Sequence, residues 1–267
     1  MFKGLVTVLR DLLPKRLQVP AKYWYRSLWA GLEDEMSLLE FLIKTNDLVI
    51  DVGGNRGIYA YRFWQLGARV EVFEPNPKCV KIMSAWATGR SNINIHSVAL
   101  SNSTGNAKLH IPVDASGIEH DASASLESVG FENSKDELVP LQTLDSFQFS
   151  HVKFIKIDVE GHECGVIEGG ATTLKSSRPG LLIEIEQRHN TLPITEVFDK
   201  VTSFGYQGFF LDSNRLTPLE NFDLYNDQPI EDFGVSNARY INNFLFLHKE
   251  RMKNGEYNIL MEMISKA

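Results

Sequence analysis

The sequence predicts an α/β fold: a Rossmann-like, mostly parallel sheet of seven strands sandwiched by helices, behind an N-terminal helical extension. Three observations lead there. From residue 47 onward, short apolar runs alternate with helical patterns, the rhythm of a parallel sheet covered on both faces. The first run, Leu48–Val52, passes straight into the Gly-rich turn Gly53-Gly54-Asn55-Arg56-Gly57 and then into a helical pattern. Finally, 267 residues with 43% hydrophobic content suffice for one large domain with a full core and additions at its ends.

Strands are expected at Leu48–Val52, Val70–Phe73, Ile93–Ala99, Phe154–Ile157, Leu181–Ile185, Tyr206–Leu211 and Phe244–Leu247. Helices are expected at Ile58–Leu66, Pro77–Ala87, Cys164–Leu174 and Ile194–Phe204, the second started by Asn76 as N-cap and Pro77 at the first helical position. Two stretches break the rhythm: 112–137, rich in Ser, Gly, Asp and Glu, and 212–239, rich in Asn, Asp and Pro. Segments this long are lids or binding loops, or else disordered surface insertions. The chain divides into a basic, aromatic-rich helical extension over 1–45, a catalytic domain over 46–250 and a C-terminal helix over 251–267.

The net charge of −7 hides an asymmetry. Residues 1–31 carry six bases (Lys3, Arg10, Lys15, Arg16, Lys22, Arg26) against one acid, Asp11, so this segment is +5 and the remainder −12. An acidic body without a basic cluster argues against nucleic acid as the partner. Two cysteines, Cys79 and Cys164, make no disulfide framework and suit a reducing compartment, and no run of 18 apolar residues occurs. The expectation is a cytoplasmic protein with a membrane-associated variant of that reading: the leader, where Tyr23, Trp24, Tyr25 and Trp29 follow Leu12, Leu13 and Leu17, would touch anionic lipid or a lipid-linked glycan. The plainer alternative is an extension that packs on the domain or makes a homodimer contact.

The turn after the first strand selects the ligand class. Glycines there let the backbone bend tightly and let a ligand lie against it. Glu74 ends the second strand, 23 residues after Asp51, where a carboxylate can accept the hydroxyls of a ribose. A pyrophosphate would be held by G-x-G-x-x-G, whereas here the glycines read G-G-N-R-G behind the acid Asp51. Asp51 would repel a pyrophosphate and suits the cationic amino group of a methionine moiety, so S-adenosylmethionine fits and NAD fits poorly. Further along, the apolar strand 152–157 ends in Asp158 and Glu160, which puts carboxylates on the ligand-binding edge of the sheet.

Together, Asp51–Gly57, Glu74-Pro75-Asn76, Val98-Ala99-Leu100-Ser101, Leu144-Asp145, Lys156-Ile157-Asp158-Val159-Glu160-Gly161-His162-Glu163, Gly169-Gly170-Ala171, Arg178-Pro179 and Glu184-Ile185-Glu186 resemble the FkbM family of S-adenosylmethionine-dependent methyltransferases. The likeness spans about residues 46–248, and the K-I-D-V-E-G-H-E block is its most specific part. It implies a class I sheet with an antiparallel last strand. It also implies O-methylation of a hydroxyl, commonly on sugars of glycans or glycolipids or on polyketides. On that scaffold Asp51, Gly53, Asn55 and Gly57 line the methionine end, Glu74 the ribose, and Asn76, Ala99 and Leu100 flank adenine. Position 55 departs from the commoner glycine.

Methyl transfer from a sulfonium is an in-line displacement in which the enzyme aligns a hydroxyl, and a positioned base adds roughly 10²–10⁴-fold. The catalytic candidates are Asp158, Glu160 and His189, the last for its near-neutral titration. His162 reads instead as first-turn helix geometry with a satisfied side chain. The other route is a divalent ion held by Asp158 with Glu184 or Glu186. Two competing functions stand beside this one: an NAD-dependent sugar-modifying enzyme and a non-catalytic S-adenosylmethionine-binding scaffold.

Overall fold

The computed structural model describes residues 12–114, 117, 119–127, 133–213, 215–235 and 238–265. The basic leader therefore enters the structure only from Leu12, and Lys3, Arg10 and Asp11 lie outside the described residues.

Among the described residues the strands are β1 Leu48–Val52, β2 Arg69–Phe73, β3 Ile93–His96, β4 Ala99–Leu100, β5 Gly105–Pro112, β6 Ser134–Gln142, β7 Val152–Ile157, β8 Gly180–Glu184, β9 Tyr206–Asp212, β10 Arg215–Pro218 and β11 Asn243–His248. The helices are α1 Lys15–Tyr25, α2 Leu39–Leu42, α3 Ile58–Gln65, α4 Pro77–Ala87, α5 Glu163–Gly169, α6 Ala171–Ser177, α7 Thr195–Ser203, α8 Leu224–Asp227, α9 Lys249–Lys253 and α10 Asn258–Ser265. A short π turn, Arg26–Ala30, extends α1.

The main sheet has the order β10-β9-β11-β8-β7-β1-β2-β3. β3, β2, β1, β7 and β8 are mutually parallel, whereas β11 runs antiparallel to both β8 and β9. The antiparallel last strand is as expected, but the sheet has eight strands rather than seven, because β10 adds an antiparallel edge within the 212–239 stretch. Parallel strands covered on both faces read as continuous apolar runs. Successive residues here alternate between two cores: Val49, Val70 and Val72 pack with Phe63 and Trp86 on one face, and Ile50, Val52 and Phe73 with Val166, Ile167 and Leu174 on the other.

The third expected strand, Ile93–Ala99, is corrected. It stops at His96, and Ala99–Leu100 leave the main sheet to pair with β6 in a second, three-stranded sheet ordered β4-β6-β5. The expected helix Cys164–Leu174 is two helices, broken at Gly170, whose φ of −108° and ψ of 13° are not helical. The C-terminal segment likewise forms α9 and α10 rather than one helix. The stretch 112–137 contains neither a plain loop nor disorder over its described residues: β5 and β6 form a long antiparallel hairpin, and 119–127 fold back at its tip.

α1 packs on the domain against α4 and α3, burying Val19 and Tyr23; the Tyr23 ring lies 4.8 Å from that of Tyr61. Beyond α1 the chain runs to Glu33, whose carboxylate accepts a 2.5 Å hydrogen bond from Tyr59 at the C-terminal edge of the sheet.

Candidate functional site

β1 lies between β2 and β7, with chain connections leaving in opposite directions, so the crevice beyond its C-terminal end is where an open α/β sheet receives a ligand. Two turns meet there. The backbone N–H groups of Gly53 and Gly54 donate to the carbonyl of Phe73 at 2.9 and 3.2 Å, and the N–H of Asp158 donates to the carbonyl of Val52 at 2.9 Å. Gly53, at φ +80°, carries the turn directly beneath the Asp158 backbone.

Glu74 is fixed from both sides. Its Oε2 accepts the N–H of Asn55 at 2.5 Å and its Oε1 the N–H of Asn76 at 2.7 Å, which leaves further lone pairs toward the cleft. Burial pushes its carboxyl up to about 7, against the pull of those two bonds. Asn76 caps α4 by accepting the N–H of Lys78 at 3.0 Å and is buried. It is thus a structural support of the Glu74 turn.

Asn55 repays its departure from glycine. Its φ of +47° is one that Asn tolerates better than most residues. Its Nδ2 donates to the Asp121 carbonyl at 2.9 Å, and its Oδ1 accepts from Lys22 on α1 at 3.5 Å. The side chain ties the hairpin tip and the N-terminal helix to the cofactor-type turn. Gly57 starts α3 in the left-handed region and packs on Val19 and Met83, behind the cleft.

The cleft is lined on one side by Gly53, Asn55, Phe73, Glu74, Ala99 and Leu100, and on another by Asp158, Glu160 and His162. Its roof is the hairpin tip, through Asp121, Ala122, Ala124 and Leu126. The tip is fastened at three points. The Asp121 carboxylate pairs with Arg56 at 2.6 Å and Lys78 at 3.2 Å; Ser125 donates to the Glu160 carbonyl at 2.6 Å; Glu127 meets His162 Nδ1 at 2.8 Å. His162 also reaches Ser101 at 3.0 Å, so its side chain is satisfied as expected, but it lines the cleft. The length of the segment left a lid or binding loop and a disordered insertion as alternatives; which residues latch it is a matter of tertiary contact.

Asp51 is buried beneath the turn, 2% exposed, and one carboxylate oxygen, Oδ2, has no partner among the described residues. Burial raises it to about 7, opposed by the charge of Lys156. Lys156 is fully buried in β7 directly across from Asp51 in the β1–β7 register, and donates to Asn243 at 3.0 Å. Burial would lower it, but Asp158, Glu184, Glu33 and Asp51 surround it and hold it above its ordinary value. Asp158 is raised to about 7 by burial, and Glu184, 3.9 Å from the Lys156 ammonium, is also raised by burial and by Asp158. Sequence reasoning passed over Lys156, Glu33 and Arg56; a lysine inside an apolar strand was the available signal for the first.

The remaining acids adjoin these, Glu186 sharing Asn242 with Glu184. His189 is 6% exposed, and its Nε2 stands 2.7 Å from Glu160 Oε2, off the line of a hydrogen bond. Glu160 adopts φ +53°, a strained conformation of the kind that collects at functional sites. Glu186 completes a group of three whose ligand atoms lie within 4.8 Å of one another. Glu186, however, accepts from Arg188 Nε at 2.5 Å and from Tyr240 at 2.6 Å. Burial would push it up, but those bonds outweigh it and hold it at about 2. Among the described residues Asp158, Glu184 and Glu186 do not form one three-ligand group: Glu184 and Glu186 share Asn242 Nδ2, at 2.8 and 3.2 Å, Glu184 lies with Asp158 around Lys156, and Glu186 groups with Glu160 and His189.

The model of the Methyltransferase FkbM domain matches residues 51–207, from the acid of the first turn to the start of β9. A protein described as 2-O-methyltransferase NoeI, from Sinorhizobium fredii (strain NBRC 101917 / NGR234), is 26% identical over 193 residues, which span 66% of this chain and 79% of that one. The crystal structure of methyltransferase FkbM from Methylobacillus flagellatus KT aligns with 90% of this chain at a TM-score of 0.50 and 16% identity, a likeness of fold. This chain spans 57% of that protein's length. With the matched domain covering more than half of the sequence and carrying both turns of the cleft, the chain belongs to the FkbM methyltransferase family.

Proposed function

We propose that this protein is an S-adenosylmethionine-dependent O-methyltransferase acting on a hydroxyl of a sugar, in a glycan, a glycolipid or a glycosylated natural product. The observation that carries the reading is one cleft that joins the doubly held Glu74 to the Asp158 and Glu160 end of β7. The donor set fits the cofactor: an acidic turn with the unpartnered, buried oxygen of Asp51 suits a cationic amino acid moiety, and Glu74 suits a ribose. Ala99, Leu100 and Leu126 offer apolar walls for an adenine. When bound, the cofactor supplies an electrophilic methyl group on a sulfonium.

The chain's own task is then to hold the acceptor oxygen in line and take its proton. His189 is the group we assign as base, with Glu160 beside its Nε2 to stabilise the imidazolium that forms. Asp158, at the mouth of the methyl-donor end, orients the acceptor hydroxyl. A 2-O-methyltransferase among the relatives supports oxygen as the acceptor atom. A divalent ion at Glu160, Glu186 and His189 is the second reading. Arg188 already supplies the positive charge that Glu186 faces, which favours the acid–base pair over that ion.

The test has two stages. Calorimetry should show binding of S-adenosylhomocysteine and none of NAD; the reverse would sink the cofactor assignment. With labelled methyl donor and a panel of sugar acceptors, His189→Ala should lower turnover roughly 10²–10⁴-fold with unchanged cofactor affinity. Activity abolished by a chelator and restored by magnesium or manganese would favour the ion instead. Binding of S-adenosylhomocysteine without turnover on any acceptor would point to the scaffold reading.

A further inference from the structure

Helix α1 has two apolar faces and the domain uses one of them. Val19 and Tyr23 are buried against α3 and α4. Leu17, Trp24 and Leu28 recur seven and four residues apart, which places them on one side of the helix and its π-turn extension. They are 45%, 48% and 61% exposed, and Trp29 at the end of the π turn is 77% exposed. Leu12 and Leu13 continue the exposed apolar surface ahead of the helix. Exposed leucine and tryptophan in one contiguous segment are costly in water and mark an interaction surface.

The charges nearby say what kind of partner it meets. Between residues 12 and 31 the chain carries Lys15, Arg16, Lys22 and Arg26 and no acid, in a protein whose net charge is −7. We propose that this face docks on the interfacial region of an anionic phospholipid bilayer, with Leu17, Trp24, Leu28 and Trp29 entering the headgroup boundary, Arg16 at their border meeting lipid phosphate, and the net positive charge of the acid-free segment drawing it to the surface. Tryptophan and leucine on a basic helix are the composition of an in-plane interfacial anchor. The acidic body is repelled by an anionic surface, so the basic segment fixes which side approaches. A second copy of the chain fits worse, because a two-fold contact through this face would set two basic segments against each other.

Among the described residues no helix is long and apolar enough to cross a membrane, so this contact is peripheral.

Flotation of the full chain decides it, with vesicles of phosphatidylcholine alone and of phosphatidylcholine mixed with phosphatidylglycerol. Recovery with the anionic vesicles should exceed that with neutral ones roughly tenfold and fall when salt is raised to about 1 M. The double variant Trp24→Glu with Leu28→Glu should lose that recovery while its unfolding temperature and S-adenosylhomocysteine binding stay those of the parent. Equal recovery on both vesicle types, none on either, or full recovery of the variant would overturn the proposal. So would light scattering that shows a dimer which this variant converts to monomer.

Discussion

Gly53 passes so closely under Asp158 that a β-carbon added to it would fall on the Asp158 carbonyl oxygen. The obstacle is backbone, held in place by the β1–β7 pairing, so it cannot swing aside as a side chain would. Gly53→Ala also places a side chain at φ +80°. We expect a loss of at least about 2 kcal/mol in stability and of S-adenosylhomocysteine binding together, read by denaturant unfolding and calorimetry. A variant that folds and binds as the parent does would mean that the two turns are not rigidly joined.

Lys156 is the cation on which the buried acids depend. Asp51, Asp158, Glu184 and Glu33 all act on it electrostatically, and Asn243 is its direct partner. Lys156→Met keeps the length and the apolar packing but leaves those carboxylates without their counter-charge. Removing one member of a buried charged group costs about 3–5 kcal/mol. Chemical denaturation at neutral pH should show a loss of that size, reduced at pH 5, where the acids take up protons. An equal loss at both pH values would assign the effect to packing.

The same acids make cofactor affinity pH-dependent. Asp51 and Glu74 lie near 7, well above their ordinary values, because burial disfavours their charge. A raised carboxylate stabilises the fold fully below its unfolded value and loses that contribution as pH rises through about 7. The ligand-free protein should therefore weaken between about pH 5 and 8 on account of these groups. A cationic ligand reverses the sign: it favours the ionised carboxylates, so S-adenosylmethionine should bind more tightly as pH rises and release protons on binding. S-adenosylhomocysteine keeps the ammonium but lacks the sulfonium charge, so its pH slope should be shallower. Calorimetry in two buffers of different ionisation enthalpy measures the proton count, and identical slopes for the two ligands would contradict the arrangement.

The alternation of apolar runs and helices located the central strands of the main sheet, because strands buried on both faces leave apolar segments such as Leu48–Ile50 and Phe244–Leu247, but it missed the edge strand β10. The second sheet was not legible. β5 alternates between exposed residues and the buried Leu109 and Ile111, a weak pattern inside a polar stretch. β4 is two residues long, set by its pairing with β6 rather than by its own composition. Near the site, Glu74 and Asp158, which directly follow strands, and Asp51, one residue inside the end of β1, could be placed on the sheet from the chain alone, since a strand end fixes its position. Asp121 could not, because it comes from 70 residues after Asp51 and reaches the cleft only through the fold, and Glu33, 18 residues before Asp51, joins the acids around Lys156 in the same way.

The roof of the cleft should govern how fast the product cofactor leaves. Asp121 holds it by pairing with Arg56, both of them nearly buried at 6% and 5% exposure, and with Lys78. Glu127 holds it by pairing with His162, but its side chain is 44% exposed. A charge-assisted bond sheltered from water contributes about 1.5–3 kcal/mol, whereas an exposed ion pair contributes less than about 1 kcal/mol. Asp121→Asn should therefore speed release of S-adenosylhomocysteine by roughly 10- to 100-fold, and Glu127→Gln by less than about fivefold. Stopped-flow displacement gives both rates, and hydrogen exchange over 119–127 should rise in the same order. Equal rates in the two variants and the parent would mean that the hairpin tip does not gate the cofactor. A larger effect at Glu127 than at Asp121 would move the principal latch to the His162 side of the cleft.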